Sequence, residues 1–256
     1  KDMVTRFAQD VIQPKVKEMD RDSKMDEGII RGLFENGLMS IEIPVEYNGT
    51  GASFTTSCLC IEEIAKIDPA VSAGVDVHNT VVNNTLLKWG SEELKQRFLP
   101  GLATDHFGSF CLSEASAGSD AFALKTNAQV SADGSHYTID GEKLWISNAE
   151  HAGVLLVFAN ADPSLGYKGI TCFVVPADTE GVEIGKAEDK LGIRASSTCP
   201  IKFTNVKVPA ENILGEYGQG YKYAIGVRPY QSLTEKVCVC VCACVCMCVC
   251  VCVYVC

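Results

Sequence analysis

Apolar side chains recur at helical spacing through the first hundred residues. Near the start, the i, i+3, i+4, i+7, i+8 pattern of a helix with one buried face is formed by Val4, Phe7, Ala8, Val11 and Ile12. Similar stripes cover residues 29–34, 54–65 and 71–86. The pattern therefore predicts a bundle of helices that pack their apolar faces together.

Residues that start and end helices divide these stripes. Gly37 is placed to end the second helix, and the Asp68-Pro69 pair is placed to end the third. Ser91 is predicted to cap a further helix, with two acidic residues in its first turn and with Pro100 at its end. We expect an N-terminal helical domain over residues 1–103.

Near Phe107 the pattern changes from helical spacing to short strand-like runs. Gly, Asn, Asp and Pro separate these runs, and the Asp140-Gly141 pair predicts a two-residue hairpin turn. The predicted strands are residues 108–112, 136–139, 144–147, 154–158, 170–175, 182–184 and 201–208. The predicted fold class is α+β, with an antiparallel β-barrel or sandwich as the middle domain over residues 104–226.

The net charge and the cysteine content exclude some classes of protein. The 256 residues carry 22 Lys and Arg against 32 Asp and Glu, a net charge of −10, which argues against a nucleic-acid binder. Nine of the 14 cysteines lie after residue 236. The other five are sparse, odd in number and mostly in apolar runs, which predicts buried thiols in a reducing intracellular compartment rather than a disulfide framework.

A loop of small and hydroxyl residues is predicted to follow the first strand. Residues 110–120 read Phe-Cys-Leu-Ser-Glu-Ala-Ser-Ala-Gly-Ser-Asp. Hydroxyls and free backbone N–H groups in such a loop suit a ligand with carbonyl and phosphate oxygens. An ordinary surface loop has the same composition, and the run matches neither a P-loop nor a Rossmann fingerprint.

A second run places a tryptophan on a predicted strand. Residues 143–149 read Lys-Leu-Trp-Ile-Ser-Asn-Ala. A Trp between aliphatic residues suits a core or interface position as well as the wall of a cofactor site. The residue types of this run alone leave both interpretations open.

Together the two runs resemble the flavin-binding signature of the acyl-CoA dehydrogenases. Leu-Ser-Glu-x-x-Ala-Gly-Ser-Asp precedes Trp-Ile-Ser-Asn-Ala by about twenty-five residues. Further landmarks of the family are matched at residues 43–51, 190–198, 206–209, 212–215 and 218–221. The resemblance covers residues 1 to about 226, and within the family it is closest to the short/branched-chain members.

The resemblance implies a fold, a cofactor and a reaction. The fold would be a helical N-terminal domain, a β middle domain and a C-terminal four-helix domain around FAD. The reaction would be α,β-dehydrogenation of an acyl-CoA thioester, with electrons passed to electron-transfer flavoprotein. The resemblance further implies a homotetramer in the mitochondrial matrix, with no membrane span. Because the sequence opens on Lys1 without a targeting pattern, we expect that it starts within the protein or has lost a leader.

The resemblance also implies roles for residues where the motifs match. Ser113 would lie near the pyrimidine edge of the flavin, Trp145 would cover one ring face, and Ser147 would lie near the N5 atom that accepts hydride. The residues expected to bind the cofactor are Phe110, Cys111, Leu112, Ser113, Gly118, Ser119, Trp145, Ile146 and Ser147. The residues expected to contact acyl-CoA are Ser119, Tyr167 and Tyr221.

Two loop residues depart from the family pattern. Ser116 stands where the family usually has Gly, so the loop would be strained if the backbone there required a positive φ. Ala121 stands where a hydroxyl is common, which would remove one hydrogen bond to a ligand.

The resemblance stops after Gly226. In the family the carboxylate that removes the α-proton belongs to the C-terminal domain, so no catalytic residue is assigned here. Glu114 is interpreted as a structural or solvated carboxylate. We therefore expect a dehydrogenase truncated after its middle domain and inactive for lack of the base. The alternative is a non-catalytic product that binds acyl-CoA or flavin weakly at most.

Residues 227–256 contain a distinct tail in which Val and Cys alternate. Its last twenty residues are uncharged and long enough to span a membrane, but the alternation is a strand period. Cys-x-Cys spacing also suits thiolate-bound zinc or copper(I), which would make the tail a thiol-rich module. A translated GT dinucleotide repeat reads Val-Cys and explains the pattern more simply, so we interpret the tail as aberrant and unstructured.

Overall fold

The computed structural model describes residues 1–226; the Val/Cys tail lies outside the described residues. The first part of this region is helical, as predicted. Its α-helices are α1 (Asp2–Phe7), α2 (Val16–Asp22), α3 (Glu27–Glu35), α4 (Phe54–Ala65), α5 (Pro69–Asp76), α6 (Asn84–Trp89) and α7 (Glu92–Thr104). Short π- and 3-10-helical segments join or precede several of them: Ala8–Ile12, Gln13–Lys15, Val45–Tyr47 and Val77–Asn83.

Side-chain caps begin four of these helices, including α4, where the Ser53 hydroxyl accepts from the N–H of Thr56. The Asp26 carboxylate accepts hydrogen bonds from two backbone N–H groups at the start of α3, and Asp68 does the same at the start of α5. Ser91 accepts from the N–H of Leu94, which confirms the predicted cap of α7. Each cap satisfies N–H groups that have no partner within the first helical turn.

The prediction that Pro100 ends the last helix is wrong. Helix α7 continues through Pro100 to Thr104. A proline inside a helix removes one backbone hydrogen bond, here the bond to the carbonyl of Gln96. The residues on both sides of it, Leu99 and Leu102, are fully buried in the apolar core. Burial of this face outweighs the loss of one hydrogen bond.

The second part of the described chain is a mixed sheet, and the prediction of an antiparallel barrel or sandwich is corrected accordingly. Strand β1 runs parallel to β4, whereas β4 and β5 are antiparallel. The chain between β1 and β4 contains two other strands, and only a connection longer than a hairpin allows a parallel pair. The strands are β1 (Phe107–Cys111), β2 (Asn127–Val130), β3 (His136–Ser147), β4 (Ala152–Asn160), β5 (Ile170–Pro176), β6 (Val182–Ile184) and β7 (Thr198–Pro209).

The Asp140-Gly141 pair lies within a strand and does not form the predicted hairpin turn. Strand β3 is continuous through both residues and pairs with β7, with a register irregularity between Ile139 and Gly141. The Asp140 carboxylate accepts a hydrogen bond from the N–H of Asn205 on β7. Gly141 is required here because Thr126 occupies the position where a Cβ would stand. The extra residue of this irregularity lies on β7, where Thr204 and Asn205 face Asp140 and Asn205 has φ +52°.

The sheet and the helices share one apolar core. Leu86 and Phe98 from α6 and α7 pack in the same cluster as Leu156 and Val174 from β4 and β5. A polar contact adds to this packing, since the Asn148 side-chain amide donates to the carbonyl of Gly74 in α5. The helices are therefore packed directly on the sheet through apolar and polar contacts.

None of the helices within residues 1–226 combines the length and the apolar character that crossing a bilayer requires.

Candidate functional site

Residues 112–126 form a loop that leaves the end of β1 and returns to β2. Glu114 and Ala117 exchange backbone hydrogen bonds of 3.1 Å, so the first half of the loop is a tight turn. Beyond this turn, Gly118 and Ser119 are exposed, while Ala121 is buried. The loop therefore presents small residues and hydroxyls to solvent on a fixed backbone.

A buried ion pair lies beneath this loop. Lys143 on β3 is completely buried, and its Nζ lies 2.8 Å from Glu114 Oε1 and 3.1 Å from the carbonyl oxygen of Leu112. The Glu114 carboxylate also accepts hydrogen bonds from the N–H groups of Lys125 and Thr126. Burial alone would raise the pKa of Glu114, but the ammonium of Lys143 and these hydrogen bonds lower it below its usual value. The carboxylate is thus ionised and structural.

Trp145 has a strained backbone and an exposed side chain. Its φ is +62°, in the left-handed region that bulky residues rarely adopt. Strand β3 has one more residue than β7 between Lys143 and Ile146, which makes a bulge at Trp145. The side chain remains 53% exposed. Strain at an exposed aromatic residue is typical of a functional position, because burial of the side chain does not compensate for it.

The loop and the bulge are adjacent. The N–H of Leu144, one residue before Trp145, donates to the carbonyl of Ser113 at 2.9 Å. The carbonyl of Ser147 accepts from the hydroxyl of Ser109 on β1 at 2.8 Å. Within residues 1–226, the hydroxyls of Ser113 and Ser147 make no hydrogen bond, although both residues are half-buried. These two hydroxyls are available to a ligand.

Some of the residues expected to bind the cofactor have side chains that lie in the sheet core and not on the side of the loop. The side chains of Cys111 and Ile146 are buried in the apolar core of the sheet, which leaves only their backbone groups to contact a ligand. Burial raises the pKa of the Cys111 thiol to about 12, so it stays protonated. Phe110 packs against the ring of Phe158, with the ring centroids 4.7 Å apart.

The residues expected to contact acyl-CoA form part of an aromatic cluster. The rings of Tyr167 and Tyr221 meet edge to face with centroids 5.0 Å apart, and Phe122 lies 6.4 Å and 6.3 Å from them. Phe122 belongs to the loop that follows β1, so the loop reaches this cluster. Ser119 is exposed on the same loop.

The strain expected at Ser116 does not occur. Ser116 is absent from the positions with positive φ within residues 1–226, so this loop does not need glycine there. The strained residues near the site are Trp145 and Asn148, which lie on and just after β3. The bulge in this strand, rather than the loop, requires the unusual backbone.

The sequence reasoning missed the pairing of Lys143 with Glu114. A signal was present, because Tyr137 and Ile139 are inward-facing positions of β3, and alternation from them places Lys143 on the same buried face. A lysine on a buried face requires a partner. The family motif assigned a role to Trp145 but none to Lys143, two residues before it.

The fold and the site define a class of protein: a helical bundle packed on a mixed sheet, with a candidate ligand site between a loop and a bulged strand. The chain belongs to the acyl-CoA dehydrogenase family. The family model "Acyl-CoA dehydrogenase, N-terminal domain" matches residues 1–106, and "Acyl-CoA dehydrogenase, middle domain" matches residues 109–206.

Individual relatives agree with this assignment. The chain is 57% identical over 226 residues to the mitochondrial short/branched chain specific acyl-CoA dehydrogenase of Bos taurus, covering 88% of this chain and 52% of that protein. It is 50% identical over 225 residues to a probable enzyme of the same name from Dictyostelium discoideum, covering 88% and 54%. The predicted resemblance to the short/branched-chain members is confirmed. The chain spans about half the length of these relatives.

A solved structure shows the same architecture. Butyryl-CoA dehydrogenase from Megasphaera elsdenii superposes with a TM-score of 0.89 at 34% identity, covering 93% of this chain and 63% of that one. The helical region followed by a strand-rich region is therefore the arrangement of a family member.

Proposed function

We propose that this chain is part of an enzyme that carries out FAD-dependent α,β-dehydrogenation of short or branched-chain acyl-CoA thioesters. The observation that carries the proposal is Trp145, an exposed aromatic side chain on a strained backbone beside a hydroxyl-bearing loop. The short/branched-chain relatives at 57% and 50% identity support the substrate class.

The residues around the bulge fit a flavin. The indole of Trp145 offers an apolar face, and the half-buried hydroxyls of Ser113 and Ser147 are available for hydrogen bonds. The set proposed to hold FAD is Phe110 to Ser113, Gly118, Ser119 and Trp145 to Ser147, with the core residues Cys111 and Ile146 contributing backbone groups only. When bound, FAD supplies the acceptor for the hydride that leaves the substrate. The protein's part is to position the ring and to keep water from one face of it.

The aromatic cluster is proposed to bind the acyl-CoA. Tyr167 is exposed and Tyr221 is half-buried, and the exposed Ser119 adds a hydroxyl from the loop. Phe122 connects this cluster to the loop that would hold FAD. Such a connection suits a reaction in which substrate and cofactor must be held in contact.

We propose that residues 1–226 do not supply the catalytic base. Glu114, the buried carboxylate of the loop, is already paired with Lys143 and two backbone N–H groups. By its family, the whole protein would take the base from a C-terminal helical domain. Electron-transfer flavoprotein as electron acceptor, a homotetramer and the mitochondrial matrix belong to the same proposal. The mitochondrial bovine relative supports the organelle.

A flavin titration of the purified 256-residue chain tests this proposal. We expect weak FAD binding, seen as a shift of the visible flavin absorption band, and no bleaching on addition of butyryl-CoA or 2-methylbutyryl-CoA. Trp145→Ala should weaken FAD binding, whereas Val130→Ala, which truncates an exposed apolar residue on β2, should not. Absence of FAD binding contradicts a flavin site in this chain. Bleaching by substrate contradicts the assignment of the base to another part of the protein.

A further inference from the structure

The buried pair Glu114 and Lys143 has no role in the proposed reaction. Both side chains are removed from water, with the Lys143 side chain 0% and the Glu114 side chain 6% exposed. Removing two charges from water costs several kcal/mol per ion, and an apolar pair of similar volume is often as stable. Stability of the core alone is therefore a weak explanation for this pair.

Glu114 joins the two ends of the loop. Its own backbone lies near the start, while its carboxylate accepts from the N–H groups of Lys125 at 2.6 Å and Thr126 at 3.1 Å, just before β2. One side chain therefore closes a segment of more than ten residues. Lys143 holds the same segment from below, because its Nζ contacts the carbonyl of Leu112 as well as Glu114.

Lys143 also connects the loop to the bulge. It is followed by Leu144, whose N–H donates to the carbonyl of Ser113, and then by Trp145 with its positive φ. Lys143 is the last residue before the register of β3 and β7 becomes irregular. The ion pair and this backbone hydrogen bond therefore fix Ser113 and Trp145 relative to each other.

We propose that Glu114 and Lys143 are a positioning pair that holds the loop and the bulge in the arrangement that binds the flavin. The inference deepens the proposed function and rests on it for the identity of the ligand. Neither side chain is proposed to contact FAD. The pair acts by keeping a large fraction of the ligand-free chain in the conformation that binds FAD. The apparent affinity for FAD is proportional to that fraction, so it falls when the fraction falls.

Three variants separate positioning from general stability. Glu114→Gln and Lys143→Met each leave one buried charge without its partner and should lower the free energy of unfolding. The double variant removes both charges and should recover most of that stability. A positioning role predicts that the double variant nevertheless binds FAD about tenfold more weakly than the unaltered chain. The reason is that the loop is no longer held by the ion pair in the arrangement that binds the flavin.

Hydrogen exchange of the free chain gives a readout that does not depend on FAD. In the double variant the amides of Lys125, Thr126 and Leu144 should exchange about tenfold faster, while core amides of β4 keep their protection. Glu63→Gln is the matched control, because Glu63 is also a buried carboxylate, paired with Lys1 and Lys66 in the helical region. It should lower stability without changing exchange in residues 112–126 or the affinity for FAD.

The outcomes distinguish the two proposals. If the double variant is as stable as the unaltered chain and its amides at Lys125, Thr126 and Leu144 exchange at the unaltered rate, the positioning role is wrong. If it regains stability and affinity for FAD, the role is likewise wrong. If the unaltered chain fails to bind FAD, the flavin proposal fails, and the exchange of Lys125 and Thr126 still supports or contradicts the positioning of the loop.

Discussion

His78 connects the helical region to the first strand through both nitrogens of its ring. Nδ1 lies 3.0 Å from the N–H of Gly108 on β1 and accepts its hydrogen bond. Nε2 lies 3.0 Å from the carbonyl of Leu102 on α7 and must therefore carry the proton. Only the first contact requires the neutral ring, because protonation of Nδ1 would break it, whereas Nε2 carries a proton in either state.

This contact predicts a dependence of stability on pH. Burial lowers the pKa of His78 to about 4, against an ordinary value of 6.5, while the rings of Phe34 and Phe107 pack around it. Because the unfolded chain binds the proton more readily, the stability from His78 is complete above about pH 6.5 and is lost as the pH falls towards 4. The loss is on the order of 3 kcal/mol.

Urea unfolding between pH 4.5 and 7.5 measures this effect. The chain with His78→Gln should lose less stability over this range than the unaltered chain. His136→Gln, which changes a half-buried histidine at the start of β3, should follow the unaltered chain. Equal slopes for the His78→Gln and unaltered chains would contradict the prediction.

The positive φ of Trp145 predicts that two substitutions there differ in stability although both weaken ligand binding. Trp145→Ala and Trp145→Gly both remove the indole, but only glycine relieves the strain at φ +62°. We expect the glycine variant to be about 1 kcal/mol more stable than the alanine variant. Both should bind FAD more weakly than the unaltered chain. Equal stability of the two variants, measured by urea unfolding, would show that the backbone at this bulge is relaxed.

The turn that carries Tyr167 contains two glycines with different constraints. A Cβ at Gly169 would clash with the carbonyl oxygen of Asp162, whereas nothing lies within 4 Å of a Cβ at Gly166, which has φ +58°. Gly169→Ala should therefore move the turn and destabilise the chain by about 3 kcal/mol or more. Gly166→Ala meets no neighbouring atom but would hold φ +58° with ψ −131°, a conformation that residues with a Cβ rarely adopt, and should cost about 1 to 3 kcal/mol of backbone strain. Thermal unfolding of both variants measures the difference, and a reversed order would contradict the close approach.

The hydrogen bonds of the Asn148 side chain predict that a negative charge at this position destabilises the contact between the helices and the sheet. Its side-chain amide donates to the carbonyls of Gly74 and Gly108, and the residue is buried with φ +64°. Asn148→Asp places a carboxylate beside these acceptors and should destabilise the chain by about 3 kcal/mol. Asn48→Asp is the control, because Asn48 has φ +65° but is exposed. Similar urea midpoints for both variants would exclude a special role for the Asn148 amide.

Much of the helical region was predictable from local spacing. The cap at Ser91 and the left-handed Gly37 after α3 appear where the sequence predicts them. The stripe that begins at Val4 is buried as predicted except at Val11, which is exposed. A helix satisfies its hydrogen bonds within one segment, so periodicity and capping residues locate it. Pro100 is the exception, because burial of its neighbours in a distant core decided how far α7 extends.

The sheet shows where local reasoning ends. Strand β2 (Asn127–Val130) was missed, and Asp140-Gly141 was interpreted as a turn, although it continues β3 opposite a bulge in β7. Strand partners and register depend on residues far apart in the chain, so a short run cannot reveal them.

The sequence by itself determined the family of this protein, its α-then-β order and the segments that carry the candidate site, because these are properties of motifs and of local periodicity. Only the tertiary structure decided that β1 lies parallel to β4, that Trp145 is strained and exposed, and that Glu114 and Lys143 form a buried pair. The reason is physical: strain, burial and ion pairing arise from the packing of segments against one another, and a linear pattern contains no information on which segments meet.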